Sequence, residues 1–142
     1  MSDSNLKILR DRIDEIDQKL QDLLNERAEI SIQVKAVKTD KKSKLKPGRE
    51  TQILRTIIDR QRGNFPKVTL IKIWREILSA SVKLQGKFNV AIHLLKNKNI
   101  EINDMVDSVR SHFGTNTSII YLSSISEIIR SIQLDKSEIG ML

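Results

Sequence analysis

Cysteine is absent from this 142-residue chain, and proline (two), glycine (five), histidine (two) and aromatic residues (4%) are scarce. Each scarcity excludes something. Without cysteine there are no disulfides, no thiolate chemistry and no cysteine zinc site. His93 and His112 lie far apart in the sequence and in different expected elements. Two lone histidines fall short of the usual three or four ligands, so no metal is expected. So few aromatics leave little for base stacking, and no nucleic-acid motif occurs, so no nucleic-acid partner is expected despite a net charge of +7. No stretch approaches the roughly 18 apolar residues of a membrane span. The opening MSDSNLKILR lacks the apolar run of a signal peptide, which makes the cytoplasm the expected location.

What is present begins with a periodic stripe. Leu6, Leu9, Ile13, Ile16, Leu20, Leu23, Arg27, Ile30, Val34 and Val37 follow one another at strict 3–4 spacing. That is the seam of a long helix packed lengthwise on another helix. Arg27 interrupts it. An unpaired charge in such a seam costs several kcal/mol of lost hydration, and no acid stands at seam spacing to neutralise it. The position is suited to an anion arriving from outside the helix. No Gly or Pro interrupts residues 5–39, so one helix of about 52 Å is expected there, capped by Asp3 or Ser4.

The lysine-rich TDKKSKLKPG (39–48) reads as a connector. A second helix is expected from Arg49 to about Arg62, with Ile53, Leu54, Ile57 and Ile58 on one face and Arg49 and Glu50 extending that face by a turn. After the Gly63–Pro66 turn, a third helix spans about 67–85. Its stripe is Leu70, Ile71, Trp74, Ile77 and Leu78, continued by Ser81 and Gln85. The period changes after Gly86. Phe88, Val90, Ile92 and Leu94 alternate as a strand, Asn103–Phe113 reads as an Asn-capped helix, and SIIYL (118–122) as a strand. Ser124–Glu127 is a capping box opening a helix to about Gln133, and residues 138–142 form a third strand. The order βαβαβ implies a parallel sheet with right-handed crossovers. The fold class is therefore α+β by segment. Residues 1–87 form a three-helix all-α domain, and 88–142 an incomplete parallel βαβαβ unit, truncated or degenerate. Charge divides at the same place, +8 over 1–87 and −1 over 88–142, which sets any anion-handling surface in the first segment.

The inward polar set is Arg10, Arg27, Lys38, Arg49, Glu50, Ser81 and Gln85: four cations, one carboxylate and two neutral hydrogen-bonders. It contains no Ser–His–Asp grouping and no carboxylate pair for hydrolysis. Such a pocket clamps anionic groups without a nucleophile. The run LRDRIDEIDQKLQDLLNERAEISIQVKAVK, then PGRE, then IWREILSASVKLQ, resembles the all-helical class of chorismate mutases over residues 6–85. Its diagnostic pieces are the Leu-Arg-x-x-Ile-Asp-x-x-Asp opening, Glu26-Arg27, Lys38 eleven residues later, the Pro-x-Arg-Glu turn and the Ser-x-x-x-Gln ending.

The resemblance implies an isomerase that turns chorismate into prephenate in aromatic amino acid biosynthesis, needing no cofactor. It implies that Arg27 binds the enolpyruvyl carboxylate, Arg10 the ring carboxylate, Lys38 and Gln85 the ether oxygen, and Glu50 the ring hydroxyl. Arg49 would line the pocket and Ser81 support a carboxylate. Lys46 departs from the family, whose members often carry an acid there. Arg10 and Arg27 stand 17 residues apart, about 25 Å along one straight helix, so one small molecule cannot touch both. A two-fold antiparallel partner would bring Arg10 of one chain towards Arg27 and Lys38 of the other, giving a homodimer with two shared sites. Two alternatives stand beside this reading. One is an isochorismate-pyruvate lyase on the same fold; the other is a basic helical module binding polyanions through Lys41, Lys42, Lys44 and Lys46. The segment from FNVAIHLL onward is faintly similar to prephenate dehydratase. It lacks a Gly-Pro-x-Gly-type turn after the first strand, where His93-Leu94-Leu95-Lys96 stands, so dehydratase activity is not expected.

Overall fold

The computed structural model describes residues 3–37, 46–94 and 99–142. Its elements in chain order are α1 (Asp3–Val37), α2 (Pro47–Arg60), α3 (Lys67–Leu84), β1 (Asn89–His93), α4 (Asn99–Phe113), β2 (Ser118–Leu122), α5 (Ile125–Gln133) and β3 (Ile139–Met141). The chain divides into two compact units, Met1–Thr39 and Asp40–Leu142. Among the described residues no helix is long and apolar enough to cross a membrane.

The first unit is one uninterrupted helix. Its stripe is exposed in the single chain: Leu9 is 52% exposed, Ile16 49% and Leu23 60%. Only Ser31 along α1 is buried, and its hydroxyl donates to the Arg27 carbonyl at 3.0 Å.

The second unit holds a sheet of order β2-β1-β3, parallel throughout. Strand β1 is central, with Ala91 opposite Ile120 on one side and Gly140 on the other. Side chains alternate between the faces of a strand, and here the two faces differ in size. Val90 and Ile92 are fully buried with Val106 and Val109 of α4, Val82 of α3 and Phe88, and Ile119, Ile139 and Met141 pack against that cluster. The opposite face carries Ala91 and Gly140. There Ile128 of α5 lies so close that a Cβ on Gly140 would overlap its side chain. Ala91 and Gly140 on that face let α5 approach closely beside Ile120; the large residues on the other face build the core.

Helix α3 packs on α2 at one side and on α4 at the other. The helical hairpin α2–α3 is pinned by Gln61, whose amide donates to the Gly63 and Phe65 carbonyls at 3.2 and 2.9 Å. Val82 at the end of α3 and Phe88 beyond it belong to the sheet's own core, so no break in packing separates α3 from the strands.

The expected α+β arrangement is present, a helix-rich N-terminal region followed by a small three-stranded parallel sheet with helices. Several boundaries differ from the sequence expectation. Helix α1 already includes Asp3 and Ser4, which were expected to cap a helix from residue 5, α2 ends at Arg60, and β3 is confined to Ile139–Met141. Helix α2 starts at Pro47 instead of Arg49, because proline lacks the N–H that a first helical position leaves unpaired. Helix α4 starts at Asn99 and not at an Asn103 cap. Its buried face, Ile102–Val106–Val109–Phe113, reaches upstream of Asn103, and packing outweighs the capping preference of one residue. The capping box of α5 is shifted by one. The Ser124 hydroxyl accepts from Glu127 N–H at 3.2 Å, while the Glu127 carboxylate accepts from the N–H and hydroxyl of Ser123 at 2.9 and 2.8 Å. Those bonds from Ser123 hold the Glu127 carboxyl below the usual range.

Candidate functional site

The residues singled out in the sequence fall on three helices and one undescribed segment. Arg10 and Arg27 lie on α1. Arg10 is exposed in the single chain; Arg27 is half-buried, and that burial lowers the pKa of its guanidinium from the ordinary value. Lys38 lies outside the described residues. Arg49 and Glu50 occupy the first turn of α2, and Ser81 and Gln85 stand on the last turn of α3 and at its C-cap.

The expectation that Arg49 and Glu50 share the inward face needs correction at Arg49. Ile53, Leu54, Ile57, Ile58 and Glu50 are half-buried, but Arg49 is exposed, and its guanidinium donates to Gln52 Oε1 at 3.4 Å. On the row Arg49–Ile53–Ile57, burial begins one turn later, at Ile53, which leaves the long arginine in water. Ser81 and Gln85 are half-buried, as the stripe implies; the Ser81 hydroxyl donates to the Ile77 carbonyl at 3.0 Å.

Of the proposed site residues on α2 and α3, Glu50 stands apart: Arg49, Ser81 and Gln85 do not line the cleft that it enters. Glu50 lines that cleft with Leu54 from α2, Arg75, Leu78, Ser79 and Val82 from α3, and Phe88, His112 and Phe113. The first turn of α2 brings Glu50 there, its N–H bonded to the Lys46 carbonyl at 3.0 Å. Burial pushes the Glu50 carboxyl above the usual range, and the Arg75 charge pulls it back. Arg75 is itself fixed at the far side of the cleft. Its guanidinium donates to His112 Nδ1 at 3.1 Å and reaches the His112 carbonyl at 3.5 Å. The first bond requires Nδ1 to be unprotonated, and burial together with the Arg75 charge lowers the His112 pKa in the same sense. His112 also stacks edge-on against Phe113, with ring centroids 4.7 Å apart.

The α3–α4 contact has further fixed points. The Glu76 carboxylate accepts the Thr115 N–H at 2.9 Å. Gly114 has φ of +97°, and a Cβ there would collide with Ser79. A glycine is required at that position on both counts.

Arg75, Glu76 and His112 were not singled out by the sequence reading. One signal was available for Arg75. It precedes Leu78 and Val82 at helical spacing, a cation on a buried row like Arg27 on its seam. His112 and Thr115 carry no such signal, since their partners lie 37 and 39 residues away.

Comparison with known proteins adds two findings. The family model described as chorismate mutase type II matches residues 9–86. Among curated relatives, a bifunctional chorismate mutase/prephenate dehydratase of Aquifex aeolicus (strain VF5) is 37% identical over 91 residues, covering 61% of this chain and 25% of the relative. Bifunctional chorismate mutase/prephenate dehydratases of Stutzerimonas stutzeri and Pseudomonas aeruginosa are each 28% identical over 143 residues, covering 96% of this chain and 38% of theirs. The chain thus spans between a quarter and two fifths of the length of these relatives.

Proposed function

Because the chain belongs to the chorismate mutase type II family, we propose that it converts chorismate to prephenate, without a cofactor, in the cytoplasm. The observation that carries this reading is the family match over 9–86, which takes in every proposed substrate contact from Arg10 to Gln85. Residues 1–87 form the mutase domain in this reading, and 88–142 a partial α/β domain to which no dehydratase chemistry is assigned.

The reaction is an intramolecular rearrangement in which a C–O bond breaks as a C–C bond forms. No proton moves and no covalent intermediate is needed, which suits a residue set without a nucleophile. The protein has two tasks. It must hold a flexible dianion in its compact reactive shape, and it must stabilise negative charge developing on the ether oxygen. Arg27 and Arg10 take the two carboxylates, the guanidinium fork pairing them bidentately and staying charged. Lys38 and Gln85 donate to the ether oxygen and accelerate the reaction so far as they bind the transition state more tightly than the substrate. Glu50 accepts the ring hydroxyl and Ser81 supports a carboxylate. Arg49 lines the pocket.

The site is shared between two chains. A lone helix with an exposed aliphatic stripe lacks the packing that stabilises most helices in water, and a second copy of α1 is the complementary surface. In the antiparallel dimer Arg10 serves the partner's pocket.

Incubating the purified protein with chorismate and following the loss of its conjugated-diene absorbance tests the activity. Prephenate is the expected product; conversion no faster than the uncatalysed reaction, in folded dimeric protein, overturns the reading. Salicylate and pyruvate from isochorismate would reassign the site to the lyase reaction. The shared pocket has its own test. Arg10→Ala and Lys38→Ala chains, each nearly inactive alone, should recover up to about a quarter of wild-type activity when mixed and allowed to exchange subunits, since random pairing of two-fold dimers yields one intact pocket per heterodimer. Mixtures that stay inactive despite exchange would place both residues in one chain's site.

A further inference from the structure

The cleft around Glu50 is built from both segments of the sequence. Glu50 comes from α2, Arg75 from α3, and His112 from the last turn of α4, which belongs to the α/β segment. Resting on the mutase reading of Glu50, we propose that Arg75, anchored by His112, is a positioning residue for Glu50, so that the α/β segment acts on one residue of the mutase site.

Three observations support it. First, Arg75 is half-buried and fixed. A long guanidinium that would otherwise sample many rotamers is held by His112 Nδ1 at 3.1 Å and by the carbonyl of the same residue at 3.5 Å. Second, its charge acts on Glu50. Burial favours the neutral carboxyl and the Arg75 charge opposes it, biasing Glu50 towards the form that can accept a hydroxyl hydrogen bond. Third, α3 is tied to the end of α4 beside this contact, because the Glu76 carboxylate accepts the Thr115 N–H and Gly114 abuts Ser79. Among the described residues, the charged and titratable groups lining the cleft with Glu50 are Arg75 from α3 and His112 from α4. On its own helix the neighbouring Arg49 turns instead to Gln52.

The signs follow directly. Removing the Arg75 charge takes away an interaction that favours the ionised form, so Glu50 ionises only at higher pH. Protonating His112 removes the acceptor at Nδ1 and sets two cations against each other, releasing Arg75 from its anchor.

The experiment compares the full-length wild type with Arg75→Gln, Arg75→Lys, His112→Phe and His112→Gln. Two readouts are taken: the pH profile of kcat/KM with chorismate, and the titration of the Glu50 side-chain carboxyl followed by carbon-13 NMR. Arg75→Gln should move the acid limb of kcat/KM and the Glu50 midpoint to higher pH together, with a several-fold loss of kcat/KM on that limb. Arg75→Lys should restore most of the midpoint, as charge is retained, but less of the rate, as a lysine cannot reproduce the fork. His112→Phe should move both in the same direction by less, and His112→Gln, which offers a side-chain oxygen as acceptor, should lie close to wild type. An unchanged Glu50 midpoint in Arg75→Gln overturns the proposal, as does a loss of rate uniform across pH with no shift of the limb. Should Arg75→Gln not fold, the Arg75→Lys and His112→Phe pair decides by the same criteria. If the wild type leaves chorismate unconverted, the functional reading falls, whereas a Glu50 midpoint that moves with Arg75 still establishes the positioning and one that does not refutes it.

Discussion

Leu23 on α1 and Ile92 on β1 are aliphatic residues of nearly equal hydrophobicity, yet Leu23 is 60% exposed in the single chain and Ile92 is fully buried. The contrast runs through both regions. The second unit closes on itself, with α3 and α4 covering the large face of the sheet and α5 the small one. The first has an equally regular apolar pattern but a single helix to carry it. Identical driving forces therefore produce a self-sufficient core in one region and, in the proposed dimer, an intermolecular one in the other. Chain entropy is offset inside the molecule in the former case and by association in the latter.

Substitutions in the two regions should have different signatures. The largest expected effect falls on the proposed shared pocket. Lys38→Ala should cut turnover by roughly two to three decades, the worth of one preorganised donor, about 3–4 kcal/mol, while leaving the unfolding midpoint unchanged. A variant with near-normal kcat would show that the ether oxygen is served by another residue. Next come paired hydrophobic lesions. Val109→Ala should lower unfolding free energy by about 2–3 kcal/mol from lost burial and the cavity left behind, independently of protein concentration. Ile13→Asp with Leu20→Asp should instead shift sedimentation from dimer to monomer, and the melting temperature should rise with concentration for the wild type but not for the variant. A wild-type melting temperature insensitive to concentration would remove the distinction. Gly114→Ala should cost about 1–2 kcal/mol from its left-handed backbone alone, with the collision at Ser79 added, measured by urea denaturation.

The smallest effect is one of pH. The folded chain lowers the His112 pKa below its ordinary 6.5, through burial and then the Arg75 charge, so the unfolded chain binds the proton more readily. Stability should therefore decline as pH falls below about 6.5, until the folded-state imidazole also titrates. Glu50 works in the opposite sense. Its raised folded-state pKa contributes stability that is present in acid and is lost as pH rises through that value. His112→Gln should flatten the decline below neutrality in a denaturation series; a decline that persists unchanged would assign it to other groups.

How much of this was written in the sequence depends on the range of the interaction. The seam of α1, the SIIYL strand and the Ser124 cap are local patterns, each fixed by residues a few positions apart, and the structure places them as the spacing implies. The beginning of α4 was misjudged, because Asn103 offers a local signal that the long-range packing of Ile102 outweighs. Arg49 was expected inward by extending a face one turn further than its cover reaches. In the candidate site Glu50 was legible as a polar residue on an apolar row. Its surroundings were not, since Arg75 and His112 are joined across 37 residues and neither has a period that points to the other.

The shared core of α3 and the sheet has a consequence for synthesis. Helix α3 leaves the ribosome before any strand, and its last turns carry Val82, clustered with Phe88 and residues of β1 and α4, and Leu78, which lines a cleft with Phe88 and Phe113. Of the two helices that α3 packs on, α2 and α4, only α2 precedes it in the chain, so the hairpin can form while the far end of α3 still lacks its cover. Central strand β1 waits likewise, because both of its neighbours, β2 and β3, follow it in the chain. Order should therefore spread along α3 from the end that meets α2 towards the end that meets Phe88, and the final turn of the helix becomes native only when the C-terminal segment has been translated. A nascent chain arrested before α4 should show protected amides early in α3 and exchanging ones at its close, a record in time of a boundary that packing in the finished fold erases.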